Sequence, residues 1–365
     1  MFADDYKGRR VLVTGHTGFK GSWLCEWLLS LDAVVAGYAL DPLEHEILYG
    51  QLGLSPCLAE DVREDLSNLE ALTKLISGFQ PEIILHLAAQ PLVRLSYDQP
   101  LETFETNVMG TAKVLEAVRQ TGHACTVVCV TTDKCYENRE WDRPYREDDA
   151  MGGHDPYSAS KGAAELVIAS YRRSFFQSGD HVRVASARAG NVIGGGDWAL
   201  DRIVPDCIRS IRAGESIAVR NRIATRPWQH VLEPLSGYLQ LGASLATASG
   251  ERLESLASAF NFGPGLESNR TVEELVIELI ANTGGEWNDA SDPNAVHEAT
   301  KLDLAIEKAD ELLAWKPTWD FAATIRETAA WYQAEAAGED PAELTRQQIQ
   351  SYHQQAATQS IDWAK

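Results

Sequence analysis

Apolar runs rich in β-branched residues alternate with amphipathic stretches through the first half of this chain, and few folds accept that alternation. A strand apolar along its whole length must be covered on both faces, which a parallel sheet with crossover helices provides. Strands are expected over residues 10–14, 33–39, 82–87, 126–131 and 182–187, with a shorter one over 57–59. Between the first two, Phe19, Trp23, Leu24, Trp27, Leu28 and Leu31 recur at helical spacing. Leu66, Leu69, Leu72, Leu75, Ile76 and Phe79 do the same, behind a Ser67–Glu70 pair that fits a capping box. Further helices are expected over 101–121 and 157–176. Asp32 stands where a glycine usually ends a helix, which predicts a strained helix end there.

The expected fold class is therefore α/β, a doubly wound parallel sheet. With 365 residues, roughly two domains fit the length. Past residue 188 the pattern loosens into loops rich in Gly, Pro and Arg with helices between them. This reads as a first domain over 1–188 and a smaller, partly discontinuous α/β lobe over 189–333. Residues 334–365 are polar and Gln-rich, either a C-terminal helix or a mobile tail.

Between the first strand and first helix runs Val11-Leu-Val-Thr-Gly15-His-Thr-Gly18-Phe-Lys-Gly21. Glycines there let the backbone turn tightly, approach a pyrophosphate and pack the helix on the sheet; this is the Rossmann arrangement. The phosphates sit at the helix N-terminus, where free N–H groups face them. Asp41 closes the second strand, where a carboxylate accepts from ribose hydroxyls and favours NAD over NADP, unless it is a plain turn residue before Pro42. The basic-capable neighbours His16 and Lys20 weaken that preference. Asp61, followed by Val62, either holds an adenine amino group or is an ordinary loop acid.

Tyr157 and Lys161 are four apart on an expected helix, so they share a face. An ammonium beside a phenol favours the phenolate and lowers its pKa from about 10, giving a general base near neutral pH. A bare Tyr-x-x-x-Lys pair is usually structural. Here Thr132, Asp133 and Lys134 end a buried strand, the edge where open α/β sheets bind ligands.

The net charge of −21 excludes general nucleic-acid binding. Against it, six arginines stand among three acids between Asp201 and His230, a local excess that suits a small anionic ligand or, for Arg209 and Arg212, a solvated helix face. The six cysteines lack a Cys-x-x-Cys pair and read as buried thiols, and no cluster has metal-ligand spacing. No apolar run reaches the roughly 20 residues of a membrane span, and Met1–Lys7 lacks a signal-peptide pattern, so a cytoplasmic location is expected.

Several strings are more specific than any of these features. Thr14-Gly-x-x-Gly-x-x-Gly21, Leu87-Ala-Ala-Gln90, Asn107-x-x-Gly-Thr111 and the Thr132/Tyr157/Lys161 trio resemble the extended short-chain dehydrogenase/reductase family. Within it, five longer runs resemble CDP-glucose 4,6-dehydratases: residues 13–23, 88–97, 133–141, 189–198 and 226–234. The resemblance spans nearly the whole chain. It implies NAD as cofactor, CDP-glucose as substrate and a homodimer paired through helices flanking the sheet. The reaction it implies is oxidation at C4 of the hexose, elimination of water across C5 and C6, and return of hydride to C6. Tyr157 then resembles the base at the C4 hydroxyl, Lys161 its tuner and ribose contact, and Thr132 the hydroxyl positioning O4. The cofactor set implied is Gly15, Gly18, Phe19, Lys20, Gly21, Asp41, Asp61, Val62, Ala88, Ala89 and Asn107. On the substrate side, Arg202 and Arg226 resemble diphosphate and second-lobe contacts, and a bidentate guanidinium suits a diphosphate. Asn191, Asn261, Gln90, Arg94 and His230 complete that set.

Elimination needs an acid at the C6 hydroxyl and a base at C5. Asp133 suits the acid if burial raises its pKa. The related dTDP-glucose dehydratases carry Asp-Glu here, whereas this chain has Asp133-Lys134, and Lys134 serves as base only if its pKa falls well below about 10.4. Otherwise it is a salt-bridging lysine at the strand edge. Two other activities share much of this set. An NAD-dependent 4-epimerase or 4-reductase needs Thr132, Tyr157 and Lys161 but no acid and base at C6 and C5. A non-catalytic NAD(H)-sensing protein needs no reactive tyrosine at all.

Overall fold

The structure, a computed structural model, describes residues 1–177, 181–291 and 302–365; residues 292–301, within the expected second lobe, lie outside that description. Seven parallel strands form one sheet: β1 Arg10–Thr14, β2 Val34–Ala39, β3 Glu60–Arg63, β4 Ile83–His86, β5 Cys125–Thr132, β6 Val182–Ala189 and β7 Ala259–Phe262. Their order is β7-β6-β5-β4-β1-β2-β3. Val11, Leu12 and Val13 of β1 are inaccessible on both faces, between β2 (Leu12↔Ala36) and β4 (Leu12↔Ile84). Such uniformly apolar strands need helices on either side, and the chain supplies α1 Phe19–Ser30, α2 Leu69–Phe79, α3 Gly110–Thr121 and α4 Pro156–Ser174. The order reverses between β1 and β4, so their C-terminal ends open the crevice where ligands of doubly wound sheets bind.

Three local expectations need correcting. The short strand lies at Glu60–Arg63, because Pro56 opens a 3₁₀ turn over Ser55–Cys57. As an edge strand it carries charges and is only partly buried, so it lacks an apolar run. The α2 cap is Asn68, whose side chain accepts from the Ala71 amide (3.1 Å), not Ser67, whose own amide is taken by Asp65. The helix expected over 101–121 forms without a break from Pro100 to Thr121 but is not uniform, with a π turn at Glu105–Met109 between Pro100–Phe104 and α3. Asp32 does end α1 in a left-handed conformation (φ 59°), which aspartate tolerates better than most residues. Of the six thiols, Cys57 is exposed and five are buried.

The chain beyond residue 188 leaves the sheet and returns to it. Helix α5 (Ile203–Ala213) and three two-stranded ladders, 192–193 with 229–230, 217–219 with 287–289 and 225–227 with 269–271, lie outside the main sheet. Helix α6 (Leu232–Thr247) then covers β5 and β6, and β7 pairs with β6. Helices α7 (Val272–Thr283) and α8 (Phe321–Ala336) follow, and the final segment forms α9 (Pro341–Thr358), capped by Asp340. Its Gln-rich face is solvated, while Leu344, Ile349, Tyr352 and Ala356 are buried.

A carboxylate locks this C-terminal layer. Glu233 is fully buried on α6 and accepts from the Thr318 and Trp319 amides (2.9 and 2.7 Å) and from Tyr352 of α9 (2.7 Å). Burial outweighs those bonds and pushes its pKa up from 4.5 to about 7. A carboxyl whose folded value is raised stabilises the fold fully below pH 4.5, and that contribution is lost as pH climbs through 7. Glu233→Gln is therefore expected to flatten the decline of melting temperature across that window, measured by thermal denaturation from pH 4 to pH 8.

Candidate active site

A cleft of about 1300 Å³ runs along the C-terminal edge of the sheet. Its inner end is built by the glycine turn. Gly15 has φ 75°, and a Cβ there would stand 2.7 Å from the Ala88 amide nitrogen. A Cβ on Gly21 would overlap the Gly15 carbonyl, so α1 approaches the turn this closely only without side chains. Gly18 caps α1 with no side chain bonded to the first amides, which leaves the positive end of the helix facing the cleft. Phe19, Lys20, Asp41, Ala88 and Ala89 line the same end.

Asp61 and Val62 do not reach it. Asp61 pairs with His16 (2.8 Å), Ser55 (2.6 Å), Tyr49 (3.0 Å) and Arg63 (2.8 Å). Against the cost of burial, these bonds hold its carboxyl well below the ordinary range. Asp65 and Leu66, four residues on, line the cleft instead. Asn107 is also off the wall. From the π turn it accepts from the Gln90 amide (2.9 Å), donates to the Gln90 carbonyl (3.1 Å) and donates to Ser160 (2.8 Å), fixing Gln90, which does line the cleft.

Asp155 starts α4 by accepting from the Ser158 amide (2.9 Å), and Pro156 takes the first turn, where a missing N–H costs nothing. That fixes Tyr157 and Lys161 on one face, 8% and 6% exposed, both lining the cleft. Thr132, at the end of β5, lines it too and donates to Asp133 (2.8 Å). Desolvation dominates here. Burial pushes the Tyr157 phenol above its ordinary value, with the Thr132 hydroxyl opposing. It pushes Lys161 down to about 8. The lowering of the phenol expected from Lys161 is thus absent in the protein alone, because the same dry site penalises both charges. Burial also raises Asp133, against the nearby Lys134 ammonium, so this carboxyl holds its proton more firmly than usual. Lys134 faces the cleft. Lys20 falls to about 7, first through burial and then through Arg202 and Lys161.

On the outer half, Gln90, Arg94, Asn191, Arg202 and Arg226 line the walls. Asp197 holds Arg202 (2.9 Å) and keeps its guanidinium charged. His230 and Asn261 stand behind the wall. His230 is inaccessible, edge-on to Trp23 and Trp319, and burial lowers it to about 3. Asn261 bonds Tyr136 (2.7 Å) and the Tyr145 carbonyl (2.9 Å). Both are core residues. Residues without a sequence expectation also reach the cleft. Trp198 and Arg220 line it, and Asp201 links Arg94 (3.2 Å) to Arg220 (2.6 Å). The excess of arginines in that stretch was the available signal for Arg220.

A phenol and an ammonium one helical turn apart, beside a phosphate-ready glycine turn in a doubly wound sheet, define an extended short-chain dehydrogenase/reductase. Within that class the chain belongs to the GDP-mannose 4,6 dehydratase family, whose sequence pattern matches residues 12–328. It is 46% identical over 352 residues to a CDP-glucose 4,6-dehydratase of Salmonella typhimurium, covering 95% of this chain and 97% of that protein. It is 28% identical to a dTDP-glucose 4,6-dehydratase of Streptomyces antibioticus over 91% of this chain and 94% of that one. In fold it resembles the crystal structure of a dTDP-glucose 4,6-dehydratase from Streptomyces venezuelae with NAD bound (TM-score 0.76, 24% identity, 91% of this chain and 99% of that one).

The glycine geometry gives a direct test. Gly21→Ala must displace the Gly15 carbonyl, so its affinity for NAD, by titration calorimetry, is expected to fall about tenfold or more, while a Gly78→Ala control, where a Cβ meets nothing, keeps wild-type affinity.

Proposed function

We propose that the protein removes water from CDP-glucose to give CDP-4-keto-6-deoxyglucose. The observation that carries this is Asp133: a buried carboxyl with a raised pKa, bonded to Thr132 at the strand end nearest Tyr157. An epimerase or 4-reductase needs no such acid. The identity to the Salmonella enzyme supports the cytidine nucleotide.

Tyr157 takes the proton of the C4 hydroxyl as that carbon becomes a ketone, Thr132 orients O4, and Lys161 steadies the phenolate. NAD, when bound, supplies the acceptor for the hydride leaving C4 and the donor of the same hydride to C6. The new ketone acidifies C5–H, so a modest base suffices there, and we assign that role to the neutral form of Lys134, which lines the cleft. Asp133 gives its proton to the C6 hydroxyl, which leaves as water. Proton return to C5 accompanies hydride return to C6, and the net change is loss of one water. The residues present fit the cofactor: the glycine turn brings the uncapped start of α1 to the cleft, and Asp41, which lines the same cleft, is assigned to the ribose. Asn191, Arg202 and Arg226 hold the sugar diphosphate, with residues 189–333 mainly forming that half of the site.

Incubation with CDP-glucose and NAD should give a product lighter by one water, read by mass spectrometry; unchanged mass with an altered sugar would mean epimerisation. Tyr157→Phe is expected to lower kcat about 100-fold or more. Lys134→Ala should keep C4 oxidation and lose elimination. Retention of both would remove Lys134 from the base role.

We further propose that the protein is a homodimer, acting in the cytoplasm. Leu101, Phe104 and Met109 on the 100–121 segment, with Leu166 on the adjoining α4, are exposed apolar side chains on the helical flank of the sheet. Among the described residues no helix is long and apolar enough to cross a membrane. Joint Leu101→Glu and Leu166→Glu substitution is expected to halve the mass in solution, measured by light scattering.

A further inference from the structure

A buried ammonium needs a counter-charge, and Lys161 has none within ion-pair distance among the described residues. The groups facing it come from four elements. Tyr157 and Glu165 flank it on α4, Cys129 lies on β5 and Cys135 just past its end, His86 on β4, and Lys20 on α1. Burial keeps both thiols neutral, pushing Cys129 up to about 12 and Cys135 higher still, and pushes His86 down to about 3, so it too is neutral. Lys20 repels. That leaves Glu165, one turn beyond Lys161, as the negative charge on this list at neutral pH.

Glu165 is itself fixed from three sides. It accepts from Thr131 (2.5 Å), next in chain to Thr132, from Ser186 of β6 (2.8 Å) and from Arg188 of β6 (2.9 Å). Arg188 continues to Tyr136 (2.7 Å) and the Glu147 carbonyl (3.0 Å), bracing the segment after Lys134. Glu165 and Arg188 are each 5% exposed.

We propose that Glu165 is a positioning residue of this site: its carboxylate is the counter-charge of Lys161 and the clamp between α4 and the strand end that carries Thr132. The proposal rests on the role given above to Tyr157 and Lys161. Glu165 favours the charged form of Lys161, so its removal moves the lysine's titration to lower pH, and activity that requires the ammonium is lost earlier as pH rises.

The test compares wild-type enzyme with Glu165→Gln in two ways. In the pH profile of kcat with CDP-glucose and NAD, the alkaline limb of the variant is expected to fall about one pH unit or more, with KM changed less than about threefold. Separately, trace acetylation of Lys161 across pH in substrate-free protein, read by peptide mass spectrometry, should show the same downward displacement. Glu165→Asp, which keeps the charge, should move both readouts back toward wild type. If Glu165→Gln does not fold, because Arg188 is left buried alone, Glu165→Gln with Arg188→Met removes the pair together and is read in the same way. A folded variant whose limb and acetylation profile both stay in place overturns the proposal. Wild-type protein inert toward CDP-glucose would sink the functional reading instead, and acetylation alone would then decide the role of Glu165.

Discussion

Desolvation at the C-terminal edge of the sheet governs the chemistry of this protein. Tyr157, Lys161 and Asp133 all sit where water is excluded, and for each of them burial is the largest influence on its proton. The directions differ usefully. For the phenol and the carboxyl burial favours the neutral form, and it brings the lysine down to about 8. A site in that condition gains much from any charge arriving with a ligand, because Coulomb terms are strong where dielectric screening is weak. A buried lysine then gains from the phenolate that deprotonation of Tyr157 creates.

Residues from both halves of the chain line the cleft, and polar side chains hold its walls. Asp197 fixes Arg202, and Asp201 joins Arg94 to Arg220 across the opening. These arginines are partly exposed, so each pair adds little stability on its own. Their value is placement: guanidinium groups are gathered on the outer half of the cleft in a chain whose overall charge would repel an anion. The glycine turn does the opposite work at the inner end, where backbone amides, not side chains, face the ligand.

How far the sequence discloses this depends on whether a residue acts through pattern or through environment. The sheet was legible because β1, β4 and β5 carry apolar runs and β6 mixes valine and alanine with a few polar residues, and the glycine turn because Gly15 and Gly21 occupy positions where a Cβ collides. Strand β3 was not, since an edge strand bearing Glu60, Asp61 and Arg63 has no apolar run. Asp61, Asn107, His230 and Asn261 are polar residues at motif positions, and sequence does not tell a polar side chain facing a cleft from one bracing its wall. Each is satisfied within the protein or packed among aromatic rings. The π turn that carries Asn107 has no compositional mark, because Glu105–Met109 contains no glycine or proline.

The same distinction bears on the acid and base proposed at Asp133 and Lys134. Their adjacency alone suggests mutual neutralisation, with both groups charged and neither able to exchange a proton near neutral pH. Burial breaks that symmetry. Asp133 is 2% exposed and burial raises its pKa, whereas Lys134 is only partly buried and opens to the cleft. A carboxyl that is neutral before reaction can give a proton to a leaving hydroxyl. Once ionised it becomes a buried anion beside two cationic side chains, Lys134 and Arg226, which stabilise it after the proton has gone. In the proposed reaction, Lys134 becomes an ammonium once it has taken the C5 proton and would then lower the cost of the charge that elimination leaves on Asp133.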